Sequence, residues 1–194
     1  MNSSREIHLL NGICERERIQ SSEGFAQNVL TSLVVGGQLP CYNKPRSPSA
    51  LGRKLLRSMW QASFGANLPE NVFEFTREFC LPSQREEDPD RWPDLAASTS
   101  LRLILFELKT ISGSMRESQI GEQIELARHN YPDKHVDMIY LTAEPVEDAP
   151  ALDDRSSYAN LLWVQVAASI HEIWTGMAGP EGDLARQLEL VPEI

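Results

Sequence analysis

Apolar and polar positions repeat with two different periods along this chain, and the change between them predicts the architecture. Residues 6–35 carry a helical period, in two pieces. Ser21-Ser22-Glu23 is a helix start, with serine capping and glutamate in the first turn. Phe25, Val29, Leu30, Leu33 and Val34 follow at helical spacing, and Gly36-Gly37 ends the segment. Residues 36–50 form a loop rich in Pro, Ser and Gly. A second helix is predicted from Pro48 to Phe64, burying Leu51, Leu55, Leu56, Met59 and Trp60. From Asn71 the period shortens to two, and residues 72–79 read as a half-buried strand.

Residues 82–91 form a polar loop, followed by strands over 92–97 and 101–110. The second carries Leu101, Leu103, Ile104, Leu105, Phe106 and Leu108, enough for a buried central position. Ile120, Ile124 and Ala127 share one face of a helix over 115–130. Residues 136–142 read as a strand, 143–156 as an acidic loop, and 157–174 as a helix anchored by Leu161, Trp163 and Trp174. A short helix is expected within 180–194. The predicted order is ααβββαβα in a single α/β domain over 1–194. It comprises a helical part (1–70), a sheet core (71–142) and C-terminal helices (157–194). Helices flanking a mixed sheet satisfy such an order.

Composition narrows the function classes. A chain of 194 residues buries a core without disulfide or metal staples, and 41% hydrophobic with 24% charged residues excludes collagen-like and wholly disordered readings. A formal charge of −10 argues against a basic, non-specific nucleic-acid coat protein. Cys14, Cys41 and Cys80 form no CxxC pair and read as free thiols in a reducing cytoplasm. No apolar run approaches a membrane span of roughly 20 residues, and the first residues lack a signal-peptide pattern, so a soluble cytoplasmic protein is expected. His8, His129, His135 and His171 have no metal-ligand spacing, and there is no GxSxG, P-loop or GxGxxG.

The candidate chemistry lies at the end of the central strand. In Glu107-Leu108-Lys109, strand alternation points Glu107 and Lys109 the same way. A carboxylate and an ammonium ending an apolar strand are costly to bury without partners. Pro93-Asp94 lies upstream, and a hairpin folded about residues 99–102 places Asp94 directly across from Glu107. Pro89-Asp90 and Pro132-Asp133 are competing pairs, but only Asp94 leads through a strand into the Glu-Leu-Lys strand. Two carboxylates converging with a lysine make a hard-oxygen site for Mg²⁺ or Mn²⁺. Such an ion polarises a phosphodiester, and Lys109 offsets charge in the transition state.

This arrangement resembles the PD-(D/E)XK nuclease superfamily, with its restriction-endonuclease-like fold. Further segments are similar to one bacterial subgroup. Leu10-Asn11-Gly12-Ile13, then Glu17-Arg18-Ile19-Gln20-Ser21 and an apolar helix, resemble its N-terminal segment, with Gln20 in place of the usual His. Gln123-Ile124 resembles the opening of its next helix, with Ala127 at the position of a larger partner. Tyr140-Leu141-Thr142 and Ser157-Tyr158 also fit, so the likeness runs from about residue 8 to 174. The resemblance implies metal ligation by Asp94, Glu107 and the main-chain carbonyl of Leu108. It implies a carboxylate from the first helix, for which Glu17 is the candidate ahead of Glu23 and Glu15. Gln123 joins the catalytic set on the same ground.

The resulting expectation is an Mg²⁺- or Mn²⁺-dependent endonuclease acting on DNA rather than RNA, in prokaryotic antiviral defence or DNA processing. The alternatives are a non-catalytic nuclease-fold subunit that binds a partner protein and an acidic nucleic-acid mimic. Arg77, Arg85, Arg91, Arg102 and Arg116 flank the motif strands and are expected to form a local positive groove. With −10 overall, such a chain needs a protein partner or self-assembly to hold a polyanion, docking through its N-terminal helical region or its C-terminal Trp-bearing helix.

Overall fold

The computed structural model describes residues 22–36, 42–85, 87–110, 117–146, 150 and 152–174. The helix expected before residue 21 and the one within 180–194 lie outside the described residues. In chain order the elements are α1 (Ser22–Val35), α2 (Ala50–Phe64), β1 (Glu74–Arg77), β2 (Leu95–Ser98), β3 (Arg102–Leu108), α3 (Glu117–Asn130), β4 (His135–Thr142), β5 (Ser156–Leu162) and α4 (Trp163–Trp174). This is an α/β fold. Its five-stranded open sheet runs β1-β2-β3-β4-β5, antiparallel through β3 and parallel from β3 to β5.

Among the described residues the order is ααβββαββα, one strand more than the periodicity suggested. The helix expected over 157–174 is a strand to Leu162 and a helix only from Trp163. Pairing with β4 overrides the helix-compatible composition of this stretch, and Ala159 and Leu161, two residues apart, are buried on one face of the strand. One local signal marks the change. Gln165 Oε1 reaches back to accept from Leu162 N (2.8 Å), the second half of a capping box. Asn160 donates to Tyr140 O (2.9 Å) and accepts from Val146 N (2.9 Å), tying the preceding connection to the strand.

The sheet separates two apolar layers. Ile104, Phe106 and Leu108 of β3 face α1, α2 and α4, while Leu103 and Leu105 face α3. That two-sided burial is why β3 reads as an unbroken apolar run. Helix α1 is buried on nearly all sides, including Gln27, Asn28, Thr31 and Ser32. Helix α2 starts with Ser49 Oγ accepting from Gly52 N (2.9 Å) and ends at Gly65, φ +66°. Gly52 lets α2 touch α1: a Cβ there would lie 1.9 Å from Val34 O. No helix among the described residues is long and apolar enough to cross a membrane.

Tyr158 gives a stability prediction. Its hydroxyl is buried without a hydrogen-bond partner among the described residues, and burial, then Tyr140, push its pKa up to about 12. Tyr158→Phe removes the orphan and should stabilise the fold by about 1 kcal/mol in urea unfolding. The folded phenol binds its proton more tightly than the unfolded one. Wild-type stability therefore falls as pH rises from about 10 towards that raised value, and the variant should lose this slope.

Candidate functional site

The site assembles at the carboxyl end of β3, where strand register, helices α1 and α3 and a connecting segment converge. Leu95 pairs with Phe106 at the end of the β2–β3 ladder, so the next position brings Asp94 opposite Glu107. Asp94 Oδ2 accepts from Leu108 N (2.7 Å), which ties the carboxylate to the β3 backbone. Lys109 is anchored through its main chain on both sides: its N–H donates to Leu141 O (2.8 Å) and its carbonyl accepts from Trp163 Nε1 (2.9 Å). Its ammonium lies 3.0 Å from Glu107 Oε1 and 3.4 Å from Glu23 Oε1.

Glu107 is 4% exposed and has every oxygen engaged. Gln119 donates to Oε1 (2.8 Å) and Gln123 to Oε2 (3.0 Å), both from α3. Gln123 is itself buried, and its Oε1 has no partner among the described residues. Burial pushes the Asp94 carboxyl well above its ordinary range, with the Glu107 charge adding, against the pull of the Leu108 N–H and Lys109. Burial alone would lower the Lys109 pKa, but Glu107, Glu23 and Asp94 outweigh it and hold the ammonium charged.

The structure therefore brings together Asp94, Glu107, Leu108, Lys109 and Gln123. Glu17 lies outside the described residues. Glu23, ranked behind it from sequence, is the α1 carboxylate that reaches Lys109. Gln27, Glu78 and Gln119 also join the site and went unnoticed in the sequence. Gln27 and Glu23 are four apart on α1, and Gln119 and Gln123 four apart on α3, so helical spacing was the signal available.

The expected positive groove takes a different form. Arg77 is 1% exposed, bonded to Asn28 Oδ1 and stacked 4.3 Å from the Tyr42 ring centroid. Arg102 pairs with buried Asp137 (2.7 and 2.8 Å), and Arg91 with Glu122 (2.5 Å). All three guanidiniums are paired within the chain, Arg77 in the core and Arg91 and Arg102 at partly exposed positions. Arg85 is exposed, and Arg116 lies outside the described residues.

The donor set fits a hard cation. Among the described residues no three His, Cys, Asp or Glu side chains form a ready cage. Two carboxylates suffice for a largely hydrated Mg²⁺. Glu107 Oε1 already accepts from both Lys109 and Gln119, whereas Glu107 Oε2 and the two Asp94 oxygens each accept one bond among the described residues and keep a lone pair. A cavity of about 600 Å³ lined by Lys54, Arg57, Gln61 and Glu172 lies between α2 and α4 and contains none of these groups.

Comparison with protein-family models, curated proteins and solved structures finds no match to this chain.

Proposed function

We propose that the protein is a metal-dependent nuclease of the PD-(D/E)XK type, hydrolysing phosphodiester bonds in nucleic acid, DNA ahead of RNA. The observation that carries this reading is Asp94 facing Glu107 across two strands, with Lys109 bonded to Glu107 at the same strand end. The topology is compatible: three antiparallel strands, then a helix and a parallel strand, with the site at the end of the third strand.

Asp94 and Glu107, with the Leu108 carbonyl, would hold Mg²⁺ or Mn²⁺, and Glu23 or Glu17 would complete the set. A bound divalent ion acidifies water and withdraws charge from a phosphodiester. Lys109, kept protonated by its three carboxylates, lies where it can orient a nucleophile and neutralise the developing phosphorane charge. Gln119 and Gln123 fix both oxygens of Glu107, so the carboxylate has little freedom to turn away. A cytoplasmic role in antiviral defence or DNA processing belongs to the same proposal.

The committed arginines favour a partner. With Arg77, Arg91 and Arg102 already paired with groups of this chain, grip on a polyanion falls to a protein partner or a second copy of the chain. The same observation supports a non-catalytic, partner-binding subunit as the second reading.

Calorimetric titration with Mn²⁺ separates the two. Glu107→Gln keeps the shape and removes a ligand charge, so affinity should fall at least about tenfold. Equal binding by both proteins would leave Glu107 as a structural partner of Lys109.

A further inference from the structure

Gln27 occupies an unusual place for an uncharged side chain: between two carboxylates, 6% exposed, on the helix that also carries Glu23. Its amide nitrogen lies 2.7 Å from Glu78 Oε1, 3.1 Å from the Asp94 main-chain oxygen and 3.3 Å from Asp94 Oδ1. All three neighbours are acceptors, so the NH₂ end must face them.

Asp94 is thereby gripped from two sides. The β3 backbone holds Oδ2 through the Leu108 N–H, and α1 holds Oδ1 and the main-chain carbonyl through Gln27. Glu78 is the anchor of this grip. Its N–H donates to the same Asp94 carbonyl (2.7 Å), and its backbone sits at φ +50°, a left-handed conformation a glutamate rarely adopts. The β1–β2 pairing continues past it, from Phe79 N to Pro93 O and on to the Leu81–Arg91 bridge. The twisted residue therefore turns one carboxylate towards Gln27 without breaking the ribbon.

We infer that Gln27 is a positioning residue that sets the direction of the Asp94 carboxylate, with Glu78 holding Gln27 in place. Its catalytic consequence rests on the nuclease reading above. An amide suits the task chemically. It donates hydrogen bonds without bringing a charge, so it orients Asp94 while leaving its negative charge for a cation, which a lysine or arginine there would neutralise. The Oδ1 contact is the longest of the three, so that oxygen keeps acceptor capacity.

Two readouts on the full chain test this. The first needs no activity: the Leu108 amide proton of the metal-free protein, followed by NMR, reports the Asp94 bond directly. Gln27→Met keeps the volume and removes the donor, so the Leu108 amide should shift upfield and exchange faster. Glu78→Ala should do the same, while Glu78→Gln, which retains an acceptor for Gln27, should match wild type. The second readout is cleavage with Mg²⁺. Gln27→Met and Glu78→Ala should each lower kcat about 10- to 100-fold, with KM within about threefold of wild type. The double variant should be no slower than the worse single one, because both act through one chain of bonds. An unchanged Leu108 amide in Gln27→Met and Glu78→Ala overturns the positioning role, whatever the rates. A shifted amide in a chain whose wild type cuts neither DNA nor RNA leaves the positioning intact and overturns the nuclease reading instead.

Discussion

Replacing Lys109 with methionine should lower phosphodiester cleavage about 10²- to 10³-fold, the loss expected when one pre-placed charge is removed from a developing anion. The same substitution should weaken the fold. Glu107 is almost wholly buried, and Lys109 is its cation at 3.0 Å. Breaking such a pair from one side costs about 3 kcal/mol, because the remaining charge stays desolvated. The Gln119 and Gln123 amides keep Glu107 bonded and hold the cost near that lower bound. Glu107→Gln in the Lys109→Met background removes the stranded charge and should restore most of the urea-unfolding stability without restoring cleavage. Recovery of both would make the pair purely structural.

The second large effect lies across the sheet from any chemistry. Asp137 is fully buried on β4 and receives two hydrogen bonds from Arg102, whose guanidinium also stacks 4.9 Å from the Trp60 ring centroid. Arg102→Met should destabilise the fold by about 3–5 kcal/mol, and adding Asp137→Leu should recover most of that. Burial already pushes the Asp137 carboxyl above its ordinary range, with Arg102 opposing. Without Arg102 the folded pKa rises further. The folded state then binds a proton the unfolded state has released, so the deficit grows as pH rises above about 4 and shrinks below it. Urea titrations of the variant at pH 4.5 and pH 7.5 check both sign and size. Nucleic-acid affinity should be unaffected, because both guanidinium bonds of this arginine go to Asp137.

Much of the sheet could be read from period alone. The hairpin closing at Thr99 and Arg102 follows from where two apolar runs break, and its register puts Asp94 beside Glu107. Residues 156–162 were illegible for a physical reason. Ser-Ser-Tyr-Ala-Asn-Leu-Leu has no strong strand preference, and only parallel pairing with β4 makes it extended. The arginines misled similarly: proximity in sequence to the motif strands does not say whether a guanidinium faces solvent, and buried Asp137 and Asn28 captured two of them. Helical spacing puts Gln27 on the face of Glu23, but its pairing with Glu78 depends on a contact between α1 and the segment after β1, which no local pattern encodes.

The proposed hydrolysis of nucleic acid by Asp94, Glu107 and Lys109 with a divalent ion can be tested on the purified protein. The most direct test incubates the purified full chain with plasmid DNA and, separately, RNA, in Mg²⁺, Mn²⁺ or EDTA, alongside Asp94→Ala and Lys109→Met. Wild type should cleave in Mg²⁺ or Mn²⁺ and not in EDTA, and either variant should cleave little. Wild-type cleavage rates in both variants, or cleavage undiminished by EDTA, would overturn the proposed nuclease activity.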